Sequence, residues 1–346
     1  MKRLLAVCLL LSLLLPLCGC GKDTPQERYS RTSLDWFDTP SVLIGYEEEK
    51  SDFDAVAGEV FAKLARFHQY FDIYHTYNGQ NNLCTLNRQA GIAPVTVDRE
   101  LFDFLVYAKS LYELTDGYVN VMLGSVIALW HEKREIAEIH PESVTSPPDP
   151  DAIASALAHT SIDSLVLDEA ALTAYISDPL ARIDVGALGK GYAAKQVTDW
   201  LRARGHTTYA INLGGNVSLV GTKGDGQPWT VGVESPFADR SDLGRLSLVG
   251  KSLVTSGSYQ RYFVAGGVTY HHIIHPATGY PAGDFVSVTV MTEDSALADA
   301  LSTALFLMPL AEGMALVASL PHVYALWAEQ DGTLHTSAGW SEYLID

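Results

Sequence analysis

The stretch Ile183-Asp184-Val185-Gly186-Ala187-Leu188-Gly189-Lys190-Gly191-Tyr192-Ala193 reads as a short apolar strand ending in three glycines and one lysine, directly ahead of helix-forming sequence. Such a place suits an anion, because glycine N–H groups approach it without a Cβ in the way and the helix behind supplies unpaired donors and a positive dipole end. The spacing is neither that of a Walker A loop nor GxGxxG, and plain turn geometry is the competing explanation. A second chemistry is written into Asp299 and Thr303. On a helix from about Ser295 to Met308, Leu297, Leu301, Ala304, Leu305 and Met308 fill one apolar arc, and Asp299 and Thr303 stand about 40° apart on the opposite side. Two oxygen ligands one turn apart suit Mg2+, a hard cation that leans on substrate phosphates; a solvent-facing pair is the alternative.

Three further stretches carry polar groups at useful spacing. In Asn212-Leu213-Gly214-Gly215-Asn216 a strand stops at two glycines flanked by amides, which fits either a backbone brought close to a ligand or a tight hairpin. Thr255-Ser256-Gly257-Ser258-Tyr259-Gln260-Arg261-Tyr262 sets hydroxyls around one glycine, so that a flat ligand can stack on Tyr259 while a phosphate meets the hydroxyls; an exposed strand edge is the duller reading. His271, His272 and His275 lie within five positions, ahead of a Pro276-Ala277-Thr278-Gly279 turn. On a strand His271 and His275 share one face and His272 the other, which disfavours a zinc site and leaves one histidine as an acid or base near neutral pH.

These groups need elements to hold them. Apolar spacing predicts a strand over 41–46, helices over 53–71 and 98–114, and a turn-rich polar segment over 73–91. Residues 131–150 read as a charged, then proline-rich surface loop, followed by a short helix over 152–158. Short β-rich runs punctuated by turn residues dominate after residue 205, with one helix over 295–308 ended by Pro309 and a last hairpin over 323–336. Helices cluster early and then recur singly among antiparallel-looking strands, so the expected class is α+β.

The chain has 346 residues, 47% of them hydrophobic, and carries a net charge of −18. So acidic a surface argues against nucleic acid and anionic lipid as partners. Lys2 and Arg3 precede an apolar run to Leu17, too short for a comfortable membrane span, and then Leu17-Cys18-Gly19-Cys20. Residues 1–19 are expected to be a lipoprotein signal peptide with Cys20 as the lipidated first mature residue, residues 20–33 a flexible tether, and residues 34–346 the folded domain. Cys84 is then left alone, so no intramolecular disulfide is available.

In order and spacing the motifs resemble those of the ApbE family, the FAD:protein FMN transferases. Its Asp-x-Gly-Gly-x-Ala-Lys-Gly-Tyr pattern is similar to Asp184–Tyr192, its Asn-x-Gly-Gly to Asn212–Gly215 and its Thr-Ser-Gly-x-Tyr to Thr255–Tyr259. Its His-Ile-x-Asp-Pro-x-Thr-Gly is similar to His272–Gly279 and its Ala-Asp-x-x-x-Thr to Ala298–Thr303, while Gly117–Trp130 and Phe37-Asp38-Thr39 also find counterparts. The resemblance implies an FAD-binding cleft between largely antiparallel sheets and flanking helices, with Mg2+ beside the pyrophosphate. It also implies export as a lipoprotein to the extracytoplasmic face of a bacterial membrane. The implied reaction moves FMN from FAD onto a Thr or Ser hydroxyl of an exported flavoprotein and releases AMP. Carried over by position, FAD falls to Asp184, Gly186, Lys190, Gly191, Asn212, Gly214, Gly215, Ser256, Gly257, Tyr259 and Thr278. Mg2+ falls to the Ala187 carbonyl, Asp299 and Thr303, and His272 is the base. The chain departs from the pattern at Ala187, Gly189, Lys195 and above all at His275, where the family has Asp. An FAD pyrophosphatase and a non-catalytic FAD-binding lipoprotein are the alternatives.

Overall fold

The computed structural model describes residues 26–345, so the expected signal peptide and Cys20 lie outside the described residues. Strand β1 (Glu27–Ser33) pairs with β2 (Ser41–Glu47), and α1 (Lys50–Phe71) follows. Next come α2 (Leu83–Arg88), β3 (Val95–Thr96), α3 (Arg99–Leu114), α4 (Gly124–Ile139) and α5 (Pro150–Leu157), then β4 (Leu165–Asp168) and β5 (Thr173–Ile176). Helix α6 (Gly189–Ala203) leads into β6 (Thr208–Leu213), β7 (Asn216–Gly221), β8 (Trp229–Glu234), β9 (Asp242–Leu248) and β10 (Ser252–Gly257). A hairpin of β11 (Tyr262–Ala265) and β12 (Val268–His271) precedes β13 (Phe285–Thr292), α7 (Ser295–Leu307) and α8 (Leu310–Ser319). Strands β14 (Tyr324–Glu329), β15 (Leu334–Thr336) and β16 (Leu344–Ile345) complete the α+β fold.

One antiparallel sheet of eight strands, ordered β1-β2-β6-β7-β10-β13-β14-β15, is the organising layer. Side chains alternate across it, so each strand feeds two cores. Ile211, Leu213, Val220, Val254, Val288, Val290 and Trp327 point to the larger core, shared with α1, α6 and α7. Ala210, Leu219, Leu253, Met291 and Leu326 point the other way, onto Trp229, Leu246, Leu248 and Trp340 beside the three-stranded sheet β16-β9-β8. A satellite cluster of Val126, Trp130, Ile153, Phe263 and Ile274 seats the β11–β12 hairpin on α4 and α5.

Several segments differ from the sequence expectation, each for a physical reason. The polar stretch read as a tether forms β1 over 27–33, because a strand at a sheet edge needs backbone pairing more than apolar side chains; Tyr29 packs against the core and Arg31 lies over the Phe61 ring. Residues 131–139 continue α4 instead of looping: its buried stripe is only Gly124, Val126 and Trp130, and the charged residues pair along the exposed side, as Arg134 does with Glu138 at 3.6 Å. Within the turn-rich 73–91 segment, Asn82 caps α2 by accepting from the Thr85 N–H at 3.0 Å, a local signal that was present in the sequence. Residues 183–185 form no strand, since their backbone groups find side-chain and single backbone partners. Pro309 ends α7 as expected and then opens α8.

Helix α7 is buried nearly all round, with Ala296, Ala298 and Ala300 fully inaccessible. The side opposite its apolar arc, expected to be open, is closed by α6. A Cβ on Gly191 would come within 2.4 Å of Asp299 Cβ and 2.5 Å of the Ser295 carbonyl, so the helices meet only at glycine. Gly191→Ala should lower stability by about 1–3 kcal/mol through overpacking. Gly58→Ala, on α1 where a Cβ meets nothing within 4 Å, should instead raise it by about 0.5–1 kcal/mol. Urea unfolding of the two variants checks both signs.

Candidate active site

The segment 183–191 is held from the side by Asn87. Its amide donates to the Ile183 carbonyl at 3.0 Å and accepts from the Ile183 N–H at 2.7 Å, doing for one residue what a strand neighbour does for several. The Asp184 N–H reaches the Val121 carbonyl at 2.9 Å, and the Asp184 carboxylate accepts from the Gly186 N–H at 2.8 Å. Asp184 lines a cleft of about 400 Å³ with Tyr74, Asn87, Arg88, His131, Glu135 and Arg182. Burial pushes its carboxyl above the ordinary range, opposed by the Gly186 N–H, His131 and Arg134. Asn87, and the Tyr74 hydroxyl 3.2 Å from His131 Nε2, were not read as site residues from the sequence, because both act on partners more than forty residues away.

None of the glycines at 186, 189 and 191 has positive φ, so their use here is close approach and not a special backbone conformation. The Gly191 N–H donates to Asp299 Oδ2 at 2.6 Å. The anion this glycine meets is therefore the protein's own carboxylate. Asp299 is only 5% exposed; burial raises its pKa, while the charge of Lys190 and the Gly191 N–H act against that rise. A carboxylate this deep, with one N–H donor and one nearby lysine, is short of positive charge. Further along α7 stand hard oxygens: Ser302 Oγ donates to the Asp299 main-chain carbonyl at 2.9 Å and lies 2.8 Å from Ser256 Oγ, which is 3.3 Å from Thr303 Oγ1. This donor set fits Mg2+ better than a softer metal. Ala187 lies in the turn directly before α6, at the end of the helix that packs on α7. Ser302 was missed by sequence reasoning, although it stands beside Thr303 in the same motif.

The three histidines all bind backbone groups. His272 Nδ1 lies 3.2 Å from the Arg261 carbonyl, which requires the proton on Nδ1 and leaves the Nε2 lone pair free. Burial, with Arg261 and Lys190 adding to it, pulls the His272 pKa down to about 3. The charge of Lys190, next to Gly191 at the start of α6, acts to lower the pKa of both His272 and Asp299. His271 packs edge-on against Phe306 at 5.6 Å and is pulled by burial to about 4. The strict strand alternation expected for 271–275 is absent because β12 ends at His271, and both Ile273 and Ile274 are buried.

The remaining residues are spread around this centre. Gly214 and Gly215, at φ +57 and +92, make the two-residue turn of the β6–β7 hairpin, with the Gly215 N–H donating to Asn212 Oδ1 at 2.8 Å. Of the two readings the structure shows the hairpin; the close approach at Gly214 is to the protein's own Thr39, whose Oγ1 would lie 2.0 Å from a Cβ there. Asn216 accepts from Ser295 Oγ at 2.8 Å and so ties the hairpin to the start of α7. The Tyr259 ring folds onto Gly257, where a Cβ would lie 2.4 Å from it, and burial pushes its hydroxyl up to about 12. Thr278 is exposed on its turn, accepting from the Tyr280 N–H at 3.3 Å. The structure therefore gathers Gly191, Ser256, Asp299 and Thr303, with Lys190 next to Gly191, and holds His272 against the Arg261 carbonyl; it places Asp184 in the cleft lined by Asn87 and Arg182, Asn212 near the end of β6 and Thr278 on an exposed turn.

Comparison with known proteins gives a consistent picture. The ApbE family model matches residues 41–327. An FAD:protein FMN transferase of Klebsiella pneumoniae (strain 342) is 34% identical over 280 residues, covering 80% of this chain and 83% of that protein. Another, of Treponema pallidum (strain Nichols), is 33% identical over 341 residues, covering 93% of this chain and 91% of that one. The crystal structure of the ApbE protein from Thermotoga maritima superposes with a TM-score of 0.79 at 26% identity, over 92% of this chain and 100% of that one. The flavin transferase ApbE from Vibrio cholerae gives 0.78 at 26% identity, over 92% and 100%. The chain belongs to the ApbE family.

Proposed function

We propose that this protein is an FAD:protein FMN transferase that is Mg2+-dependent and releases AMP, tethered by lipid on Cys20 to the extracytoplasmic face of a bacterial membrane. The observation that carries the reading is the buried Asp299 carboxylate, met by the Gly191 N–H at 2.6 Å and followed one helical turn on by Thr303, whose hydroxyl lies 3.3 Å from Ser256 Oγ.

Phosphoryl transfer asks the protein for positioning and charge neutralisation more than for covalent chemistry. Asp299 and Thr303, with the Ala187 carbonyl, would hold Mg2+, which when bound neutralises developing charge on phosphate oxygens. Lys190 supplies a fixed positive charge at the same place. His272 Nε2 accepts the proton of the acceptor Thr or Ser hydroxyl. That oxygen then bonds to the phosphorus of the FMN half of FAD, and the bond from phosphorus to the bridging oxygen breaks, so AMP leaves with that oxygen. With its pKa near 3 in the absence of a donor substrate, His272 is a weak base. An anionic pyrophosphate beside Lys190 and Arg261 offsets two of the causes that hold it down, so its basicity rises when the donor is in place.

Incubating the purified protein with FAD, Mg2+ and an exported flavoprotein fragment should give a fluorescent covalent adduct and AMP in equal amounts. AMP without an adduct selects the pyrophosphatase reading, and FAD binding with neither product selects the non-catalytic one. Asp299→Asn keeps an oxygen for the Gly191 N–H but removes the charge, and transfer should drop by about 100-fold or more with the circular dichroism unchanged. His272→Gln should lower the turnover rate by about 100-fold or more with little effect on the KM for FAD. The same variant tests the acid sensitivity of the fold. The folded His272 value of about 3 lies below the unfolded one, near 6.5, so the unfolded chain binds more protons between them and stability falls as pH drops through that window. Thermal melts should show a shallower acid loss for His272→Gln than for the natural protein.

A further inference from the structure

Two of the three histidines make the same local bond. The Ile273 N–H donates to His271 Nδ1 at 3.2 Å, and the Ala277 N–H donates to His275 Nδ1 at 3.1 Å. In each the ring reaches two residues along its own chain, the span that Asp and Asn side chains bridge in an Asx turn. The exchange is geometrically simple, because Nδ1 of histidine and Oδ1 of aspartate are the same number of bonds from Cα. His275 stands where the family pattern carries Asp.

The turn that His275 caps is tied down on every side. The His275 N–H donates to the Tyr280 carbonyl at 2.9 Å, and the His275 carbonyl accepts from the Thr278 and Gly279 N–H groups at 3.3 and 2.8 Å. Trp130 Nε1 on α4 donates to the Gly279 carbonyl at 2.7 Å, and Gly279, at φ +73, leaves no room for a Cβ against Ile153 of α5. Upstream, buried Ile274 and Ile273 connect the turn directly to His272. Whatever fixes the turn therefore also fixes the base.

We propose that His275 is a positioning residue for the transfer reaction: its neutral imidazole accepts the Ala277 N–H through Nδ1 in place of a carboxylate and so holds the segment that carries His272. The role rests on the transferase reading given above; the turn cap itself does not. The replacement has one chemical consequence. A carboxylate oxygen is an acceptor in its ionised form whichever way it turns, whereas an imidazole accepts the Ala277 N–H only in the tautomer that leaves Nδ1 without a proton. The groups around the ring are Tyr118, edge-on at 5.5 Å from the loop after α3, with Asp116 of that loop and Glu312 of α8 near the Tyr118 hydroxyl. On its own segment there are His271 and His272.

The test uses the full chain as natural protein, His275→Asn, His275→Asp and His275→Ala, with two readouts. Long-range proton–nitrogen spectra of histidine-labelled protein, with His275→Asn assigning the signal, should show Nδ1 unprotonated and Nε2 protonated at neutral pH. In transfer assays at neutral pH, His275→Asn and His275→Asp should stay within about twofold of the natural protein and His275→Ala should lose about 10-fold. If His275→Ala does not fold, the spectra and the His275→Asn and His275→Asp activities decide. A proton on Nδ1 at neutral pH, a loss of about 10-fold in His275→Asn, or His275→Ala staying within about twofold of the natural protein, overturns the proposal. Transfer absent from all four proteins, with the unprotonated Nδ1 present, sinks the transferase reading and the role in transfer while supporting the turn cap.

Discussion

Helices α6 and α7 can touch only because residue 191 has no side chain. Their contact brings a backbone N–H within 2.6 Å of a carboxylate that is 5% exposed, and the rest of the site is arranged around that pair. A buried carboxylate is costly unless positive charge or donors meet it. One N–H and a nearby lysine are a partial answer, which a hard cation would complete in the function proposed above. The same contact positions Lys190 and, one helical turn along α7 from Asp299, the Thr303 hydroxyl. Small residues, Ser295, Ala296, Ala298, Ala300 and Ser302, surround Asp299 along α7, while Leu301, Leu305 and Phe306 fill the core.

The site is otherwise built from irregular backbone held by side chains. Asn87 clamps Ile183, Asn82 gathers the carbonyls of Gln69, Asp72 and His75, and the imidazoles of His271, His272 and His275 each take a backbone partner. These are substitutes for strand pairing in segments that do not pair, and they place polar groups where a regular sheet would put alternating faces. The eight-stranded sheet supplies the rigidity, with a core on each face. In the reading proposed here, the moving parts of the chemistry are left to a proton on His272 and to the two substrates.

The sequence by itself determined the class and the candidate chemistry. Strand runs such as Val286–Met291 and helix periodicities such as Val56 to Phe71 are local, repeated many times, and survive in the structure with boundaries shifted by a few residues. The Asp299 and Thr303 pair, the lysine among glycines and the odd histidine at 275 are legible as residue types at short spacing. Tertiary structure alone decided which of these meet. The side of α7 opposite the leucines looked open because a helical wheel contains no neighbours; α6, more than a hundred residues earlier, closes it through Gly191. The charged end of α4 looked like a loop because composition reports exposure, and an exposed helix is as polar as a loop. Residues 27–33 looked like a tether for the same reason, until an edge strand's backbone partner was in view. Contacts between distant segments, a glycine against an aspartate or an asparagine against an isoleucine carbonyl, leave no periodic trace in a chain, and those contacts are what turn a set of plausible residues into one site.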